Sequence, residues 1–335
     1  MHTISRRGFA ALAGAGALSA VLPAHAQDRP TIRVSSLTLP VFNPLVWNVM
    51  KAKGIDATHG FNLDAHAYPS ISAFYAGFAT GETDALIGGP TVFVKLAEQG
   101  VPVRIIGTGF TLADLVIFAK DPAIKSLANL KGKQLAIDMG GSQYQVVKMY
   151  TAAKGIDLGK DITVVNANFA VARAQLEAGR VDAALVIEPL ASIIFKQHPD
   201  WHAIFNGAEG WKEITGEAGW EIVPAMRADA IQKNPKAPQM LLAALADTAA
   251  EFEKNTAEAD KIANETLKLP PGIFTAAVES KRLQFIVKPA WEPGPKKVDH
   301  RHDGARGEGG LLRQDAGGKH HLCPLRLLRS GLSRF

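Results

Sequence analysis

One short pattern occurs twice in the chain. Gly81-Glu82-Thr83-Asp84-Ala85-Leu86-Ile87 is echoed by Gly179-Arg180-Val181-Asp182-Ala183-Ala184-Leu185-Val186-Ile187, with the two glycines 98 residues apart. Each copy follows a helical pattern, turns at glycine, passes through aspartate and enters an apolar run. Each run ends in an x-Pro pair, Gly89-Pro90 and Glu188-Pro189. Solenoid repeats are shorter than this spacing, so the echo predicts two similar α/β lobes rather than an array.

The flanking patterns agree. Strands are expected at 32–35, 62–67, 84–88 and 103–107, with helices at 44–53, 70–80 and 90–99 between them. Ser70 is placed to cap the second helix and Gly81 to end it. A second run gives strands at 115–119, 134–138, 162–165 and 183–187, and helices at 142–154 and 171–178. Residues 234–267 then read as helices joined near Asn255-Thr256. This βα rhythm predicts an α/β fold with largely parallel sheets.

Composition removes several functions. The formal charge of +5 sits at the two ends. Residues 27–298 hold 28 basic and 28 acidic side chains, so no nucleic-acid footprint remains. The single cysteine, Cys323, lies in the last stretch, which excludes an internal disulfide or a thiol nucleophile in the core. Residues 1–26 read as a twin-arginine-type signal peptide. Ser5-Arg6-Arg7-Gly8-Phe9 precedes an apolar run of about 13 residues and an Ala24-His25-Ala26 cleavage site. A membrane span needs roughly 20 residues, so the expectation is export to the periplasm. From Asp299 to Phe335 the apolar periodicity disappears, and the stretch holds four of the ten histidines. One back-translation of 303–316, read one base out of frame, gives M-E-L-A-V-K-A-G-F-Y-D-K-M, an amphipathic helix. Residues 299–335 are therefore expected to be a frameshifted, non-native tail.

Ligands of open α/β sheets bind beyond the carboxyl ends of the strands, where helix N-termini offer free N–H groups and favour anions. The loops at those places contain Phe42 and Asn43; Gly89, Pro90 and Thr91; Phe110; Gly141, Ser142, Gln143 and Tyr144; Asn168; and Glu188. Small residues, amides and phenylalanines there predict a small-molecule cleft with donors at its base and aromatic walls. No catalytic residue, metal site or cofactor is expected. There is no G-x-G-x-x-G, P-loop, G-x-S-x-G or H-E-x-x-H pattern. His198 and His202 read as loop residues, and Arg104 and Arg173 as surface cations.

The exported leader, the Pro40-Val41-Phe42-Asn43-Pro44 loop and the string Ile124-Lys125-Ser126-Leu127-Ala128-Asn129-Leu130-Lys131-Gly132-Lys133 before a Gly-Gly-Ser helix start resemble the solute-binding proteins of ABC importers. The resemblance is to the sulfonate/taurine/nitrate and thiamine-precursor-binding (NMT1-like, SsuA-like) group. It implies the periplasmic binding protein type II fold: two α/β lobes with mixed, mostly parallel sheets, joined by two crossing strands. Lobe 1 is expected at 30–112 plus 231–298 and lobe 2 at 113–230, with crossings near Leu112–Ala119 and Trp220–Ala230. It implies that the loop residues named above touch the ligand. It further implies hinge closure on a small organic solute of sulfonate or carboxylate type, delivery to a membrane permease, a monomeric protein and no enzyme activity. The alternatives are an enzyme on the same fold, of pyrimidine-synthase type, and a sensory module that presents its ligand to a receptor.

Overall fold

The computed structural model describes residues 29–290. The expected leader and the expected non-native tail both lie outside the described residues. Among the described residues no helix is long and apolar enough to cross a membrane.

Strands β1 (Thr31–Leu37), β2 (Asn62–Tyr68), β3 (Ala85–Gly88), β4 (Val103–Ile105) and β5 (Phe110–Thr111) come first. They are followed by β6 (Leu115–Ala119), β7 (Gln134–Ile137), β8 (Thr163–Asn166), β9 (Ala183–Ile187), β10 (His202–Asn206) and β11 (Trp220–Arg227). Helices α1 (Phe42–Ala52), α2 (Ile55–Thr58), α3 (Ile71–Thr80) and α4 (Pro90–Glu98) accompany the first strands. Helices α5 (Ser142–Ala153), α6 (Phe169–Glu177), α7 (Leu190–Gln197) and α8 (Gly207–Thr215) accompany the second set. Helices α9 (Ala228–Lys233), α10 (Ala237–Lys254), α11 (Thr256–Leu267) and α12 (Ile273–Glu279) close the described chain.

The strands form two sheets. The first has the order β2-β1-β3-β11-β4, with β5 paired to β11; the second has the order β10-β6-β9-β7-β8. Read from its parallel edge, the second sheet repeats the first. In each, three parallel strands (β2, β1, β3; β8, β7, β9) are followed by two that run antiparallel to their neighbours. The sheets are thus mixed rather than wholly parallel. The central strands β6 and β9 are buried along their whole length, as strands covered on both faces must be.

The repeated sequence pattern has a repeated physical role. Gly81 and Gly179 adopt the left-handed conformation that ends each helix, with φ of 84° and 67°. The Asp84 carboxylate accepts the Arg33 backbone N–H at 3.1 Å, while the Asp84 N–H donates to Arg33 O at 2.8 Å. Asp182 makes the same exchange with Gln134, at 2.8 and 3.0 Å. Each aspartate therefore clamps the strand it begins to its parallel neighbour, which fixes register. The Arg33 guanidinium also pairs with Asp84.

The return crossing expected over Trp220–Ala230 is largely β11, hydrogen-bonded within the first sheet, so the chain re-enters that sheet by Trp220. The segment 197–202, expected as a loop, contains the end of α7 and the start of β10. His202 Nε2 lies 2.7 Å from Ile124 O, and His198 stacks on Trp201. The segment 284–290, unassigned in the sequence reading, runs antiparallel beside 106–111. It is held by Thr111 N–H to Gln284 O, Ile286 N–H to Gly109 O and Thr108 N–H to Lys288 O.

Phenylalanines close the core under that ribbon. Phe42, Phe110, Phe285, Phe252 and Phe274 form a circuit of ring contacts, from 4.3 Å between Phe110 and Phe285 to 6.4 Å between Phe42 and Phe110. Phe274 is fully buried and touches two of these rings. Replacing Phe274 with Ala is expected to cost about 3–5 kcal/mol by leaving a cavity. Equilibrium urea unfolding measures this loss, which should appear in the midpoint without a change in slope.

Candidate functional site

The strand ends bring side chains from both sheets to one cavity that opens to solvent. Leu37 ends β1, Gly88 ends β3 and Ile187 ends β9; Gly141 and Gln143 start α5, and Phe169 starts α6. All line a space of about 510 Å³, counting its opening to solvent. Helix starts gather here because parallel strands all deliver their carboxyl ends to the same edge. The walls are apolar, with Phe42, Phe74, Tyr75, Phe110 and Phe169 among the lining residues.

Six of the residues named from sequence line this cavity: Phe42, Asn43, Phe110, Gly141, Gln143 and Glu188. Phe42 and Phe110 serve both as wall and as core. Asn43 is buried and donates from its amide nitrogen to Ile87 O at 3.0 Å. Glu188 is wholly buried and fully bonded. Ser192 donates to it from its backbone N–H and its hydroxyl, each at 3.0 Å, and Arg282 donates at 2.6 Å. Arg282 follows α12 and also lies 4.5 Å over the Phe195 ring of α7, so Glu188 anchors the last described segment against the second sheet.

The other six lie elsewhere. Pro90, Thr91 and Ser142 line a second hollow of about 660 Å³, counting its opening, together with Trp211 and Trp220. Gly89 lies between the two hollows. Its N–H donates to the Tyr75 hydroxyl at 2.7 Å, and a Cβ built on it would run into the Ser142 side chain. Glycine at 89 is thus what lets α4 and α5 approach. Tyr144 lines neither hollow and packs against the core. Asn168 caps α6, accepting from Val171 N–H at 3.0 Å, which starts that helix at Phe169 rather than at the expected Val171. Its amide oxygen is spent on the cap, and Phe169 takes the place in the cavity.

Two acidic residues were not foreseen. Asp114, in the short turn where the chain leaves the first sheet, and Glu221, on β11, are 3% and 1% exposed and both line the cavity. Gln143 donates from Nε2 to Glu221 Oε1, and Ser142 Oγ donates to Glu221 O at 3.3 Å. Burial pushes the Glu221 carboxyl up to about 7. Burial, with the negative charges of Glu221 and Glu188 nearby, raises Asp114 well above the ordinary carboxyl range. Its protonated form is therefore favoured, and that form can donate to Glu221. The alternation along β11 carried the missed signal, since it puts Glu221 on the same inward face as Val223 and Ala225.

Among the described residues there is no cluster of three His, Cys, Asp or Glu side chains suited to a metal ion. Arg104 is exposed and donates to Val103 O, and Arg173 donates to Gln197 Oε1; neither reaches the cavity.

Comparison with known proteins places this architecture. Residues 49–259 match the family model described as NMT1/THI5 like. A nitrate/nitrite binding protein, NrtA, of Nostoc is 25% identical over an alignment of 296 residues covering 73% of this chain and 66% of that protein. The match thus spans less than two thirds of that relative's own length. Among solved structures, the periplasmic aliphatic sulphonate binding protein SsuA of Escherichia coli superposes with a TM-score of 0.65 at 17% identity, over 84% of this chain and 98% of that one. The alkanesulfonate-binding protein SsuA of Xanthomonas axonopodis, bound to MOPS, gives a TM-score of 0.65 at 19% identity, over 78% and 88%. The fold is that of these periplasmic binding proteins.

The buried acids set the pH dependence of the ligand-free protein. A carboxyl whose pKa rises from 4.5 to about 7 on folding binds its proton more tightly in the native state. Its contribution is therefore present at low pH and lost as pH rises toward 7. A shift of that size corresponds to about 3 kcal/mol across the interval. The melting temperature of the ligand-free chain is expected to fall between pH 5 and pH 8, and Glu221→Gln should flatten the fall. His66, whose pKa is raised chiefly by its hydrogen bond to Asp64, adds a decline of the same sign in both proteins. The difference between their thermal-melt series is therefore the readout.

Proposed function

The chain belongs to the NMT1/THI5-like family, and we propose that it is the periplasmic substrate-binding component of an ABC importer, capturing a small organic solute without chemical turnover. The observation that carries this reading is the cavity at the carboxyl ends of both sheets, with walls drawn from each. A solute held there touches both halves at once, so it stabilises the arrangement in which they meet.

In this reading lobe 1 carries the first sheet with the helices after β11, and lobe 2 carries the second sheet. The turn at Leu112–Asp114 and the stretch before Trp220 act as the two crossings. The closed form is what a membrane permease recognises, with ATP hydrolysed by a separate subunit. The relatives named above are binding proteins, which supports capture over catalysis. Export and monomeric action belong to the same proposal, as do the ligand contacts assigned to Phe42, Asn43, Phe110 and Gln143. Gly89, Pro90, Thr91 and Ser142 act in it as the contact where the lobes meet.

A panel of small organic solutes, tested on the full chain at millimolar concentration, should include members that raise the melting temperature and that are recovered chemically unchanged. A panel that never moves it would defeat the reading. Closure supplies a second expectation. The backbone at Gly89, φ −72° and ψ 128°, is open to any residue, but a side chain there meets Ser142. Gly89→Val should therefore leave the fold intact, abolish the solute-induced shift and increase the radius of gyration measured by small-angle X-ray scattering.

A further inference from the structure

The cavity is short of hydrogen-bond donors. Asn43 Oδ1 and Gln143 Oε1 are buried without a donor partner, and Asp114 Oδ1 and Glu221 Oε2 have only the proton that the two carboxyl groups share, on residues that are 5% exposed or less and that all line the cavity. The amide nitrogens of Asn43 and Gln143 are already spent on Ile87 O and on the Glu221 carboxylate, so each amide has only its oxygen left to bond. Glu188 has its own donors in Arg282 and Ser192. No lysine, arginine or histidine is among the lining residues. Buried acceptors left unpaired are costly, and so is a buried charge without an opposite one.

Resting on the reading of this cavity as the solute site, we propose that the cargo's polar head is a nitrogenous cation, an ammonium or amidinium, whose N–H groups fill these oxygens. The phenylalanine walls agree with this, because ring faces attract cations and also accept an apolar body. An anion would meet Asp114, Glu188 and Glu221 with no free cation to offset them. The start of α5, one of the helix N-termini from which an anion is expected on sequence grounds, already meets Glu221 through Ser142 and Gln143. That helix end favours the protein's own acid.

The charge assignment has a pH signature. The ionisable groups facing Glu221 are Asp114 from the turn before β6, Glu188 at the end of β9 with its partner Arg282, and Tyr75 from α3. Burial favours the protonated form of Asp114, and the Tyr75 phenol, already neutral in this range, is pushed further up by burial, so Glu221 is the group whose ionisation falls near 7. A bound cation favours its carboxylate, so binding strengthens as pH rises from 6 to 8. Below pH 7 the Glu221 proton leaves to solvent as the cation enters.

The test uses the full chain and matched probes: benzamidine and butylamine against benzenesulfonate and butanesulfonate, by thermal melting at pH 6 and pH 8. The expected result is that at least one cation raises the melting temperature by several degrees at millimolar concentration, more at pH 8 than at pH 6, while both sulfonates leave it unchanged. Glu221→Gln should keep a cooperative melt and lose most of the cation shift; if that variant does not fold, the proton released on cation binding at pH 6, read by calorimetry in two buffers of different ionisation enthalpy, serves instead, and no release overturns the assignment. A shift produced by a sulfonate and not by the cations overturns the charge assignment and leaves the solute-binding reading standing. A cation shift equal at both pH values, or undiminished in the folded variant, overturns it too. Silence of all four probes overturns it, and silence of the wider panel as well sinks both readings.

Discussion

Two carboxyl groups are buried beside one another where the chain passes between its sheets, and the arrangement of the rest answers to them. Asp114 sits in the turn that leaves the first sheet and Glu221 on the strand that re-enters it. Among the described residues neither has a cationic partner, unlike Glu188, whose guanidinium partner Arg282 comes from the last described segment. Burial without a counter-charge is resolved by keeping the proton, and Asp114 and Glu221 can share one. Gln143 adds a donor from α5, so both halves of the molecule contribute to holding the Glu221 carboxylate. The same groups that tie the halves together thus form the polar floor of the cavity.

That floor lies where it does because the architecture is used twice. Asp84 and Asp182 make the same backbone exchange with the neighbouring parallel strand, and each stands just after a left-handed glycine. Each clamp ties two adjacent parallel strands together, and parallel strands place their helix starts at one edge. With the two edges facing each other, the residues just beyond β1, β3, β7 and β9 enclose the cavity between them. A single copy of this unit would offer only an open shelf.

Much of this was legible in the chain. Caps and stops are local chemistry, so Ser70 and Gly81 bounded α3 correctly, and the internal echo announced two sheets of one kind. The loops after the strands were also identifiable, and half of the residues chosen from them line the cavity. What escaped was non-local. The partner of 106–111 is 284–290, far away in sequence, and it has no periodicity that names its mate. Asp114 was passed over because one acid beside an apolar strand resembles a turn residue. Asn168 illustrates the opposite error: an amide in the right loop reads as a ligand contact, yet its oxygen caps its own helix. Only the spatial arrangement tells those uses apart.

The doubling of roles limits how specificity can change. Phe42 and Phe110 form cavity wall and core circuit together, so a smaller residue at either would enlarge the site and hollow the fold at once. Gly89 and Ser142 are bound by the closeness of α4 to α5. The polar oxygens of Asn43 and Gln143 are freer, since the donor half of each amide does the structural work and the acceptor half has no partner. Within one scaffold, recognition can therefore be retuned at the amides and acids while the aromatic frame stays fixed.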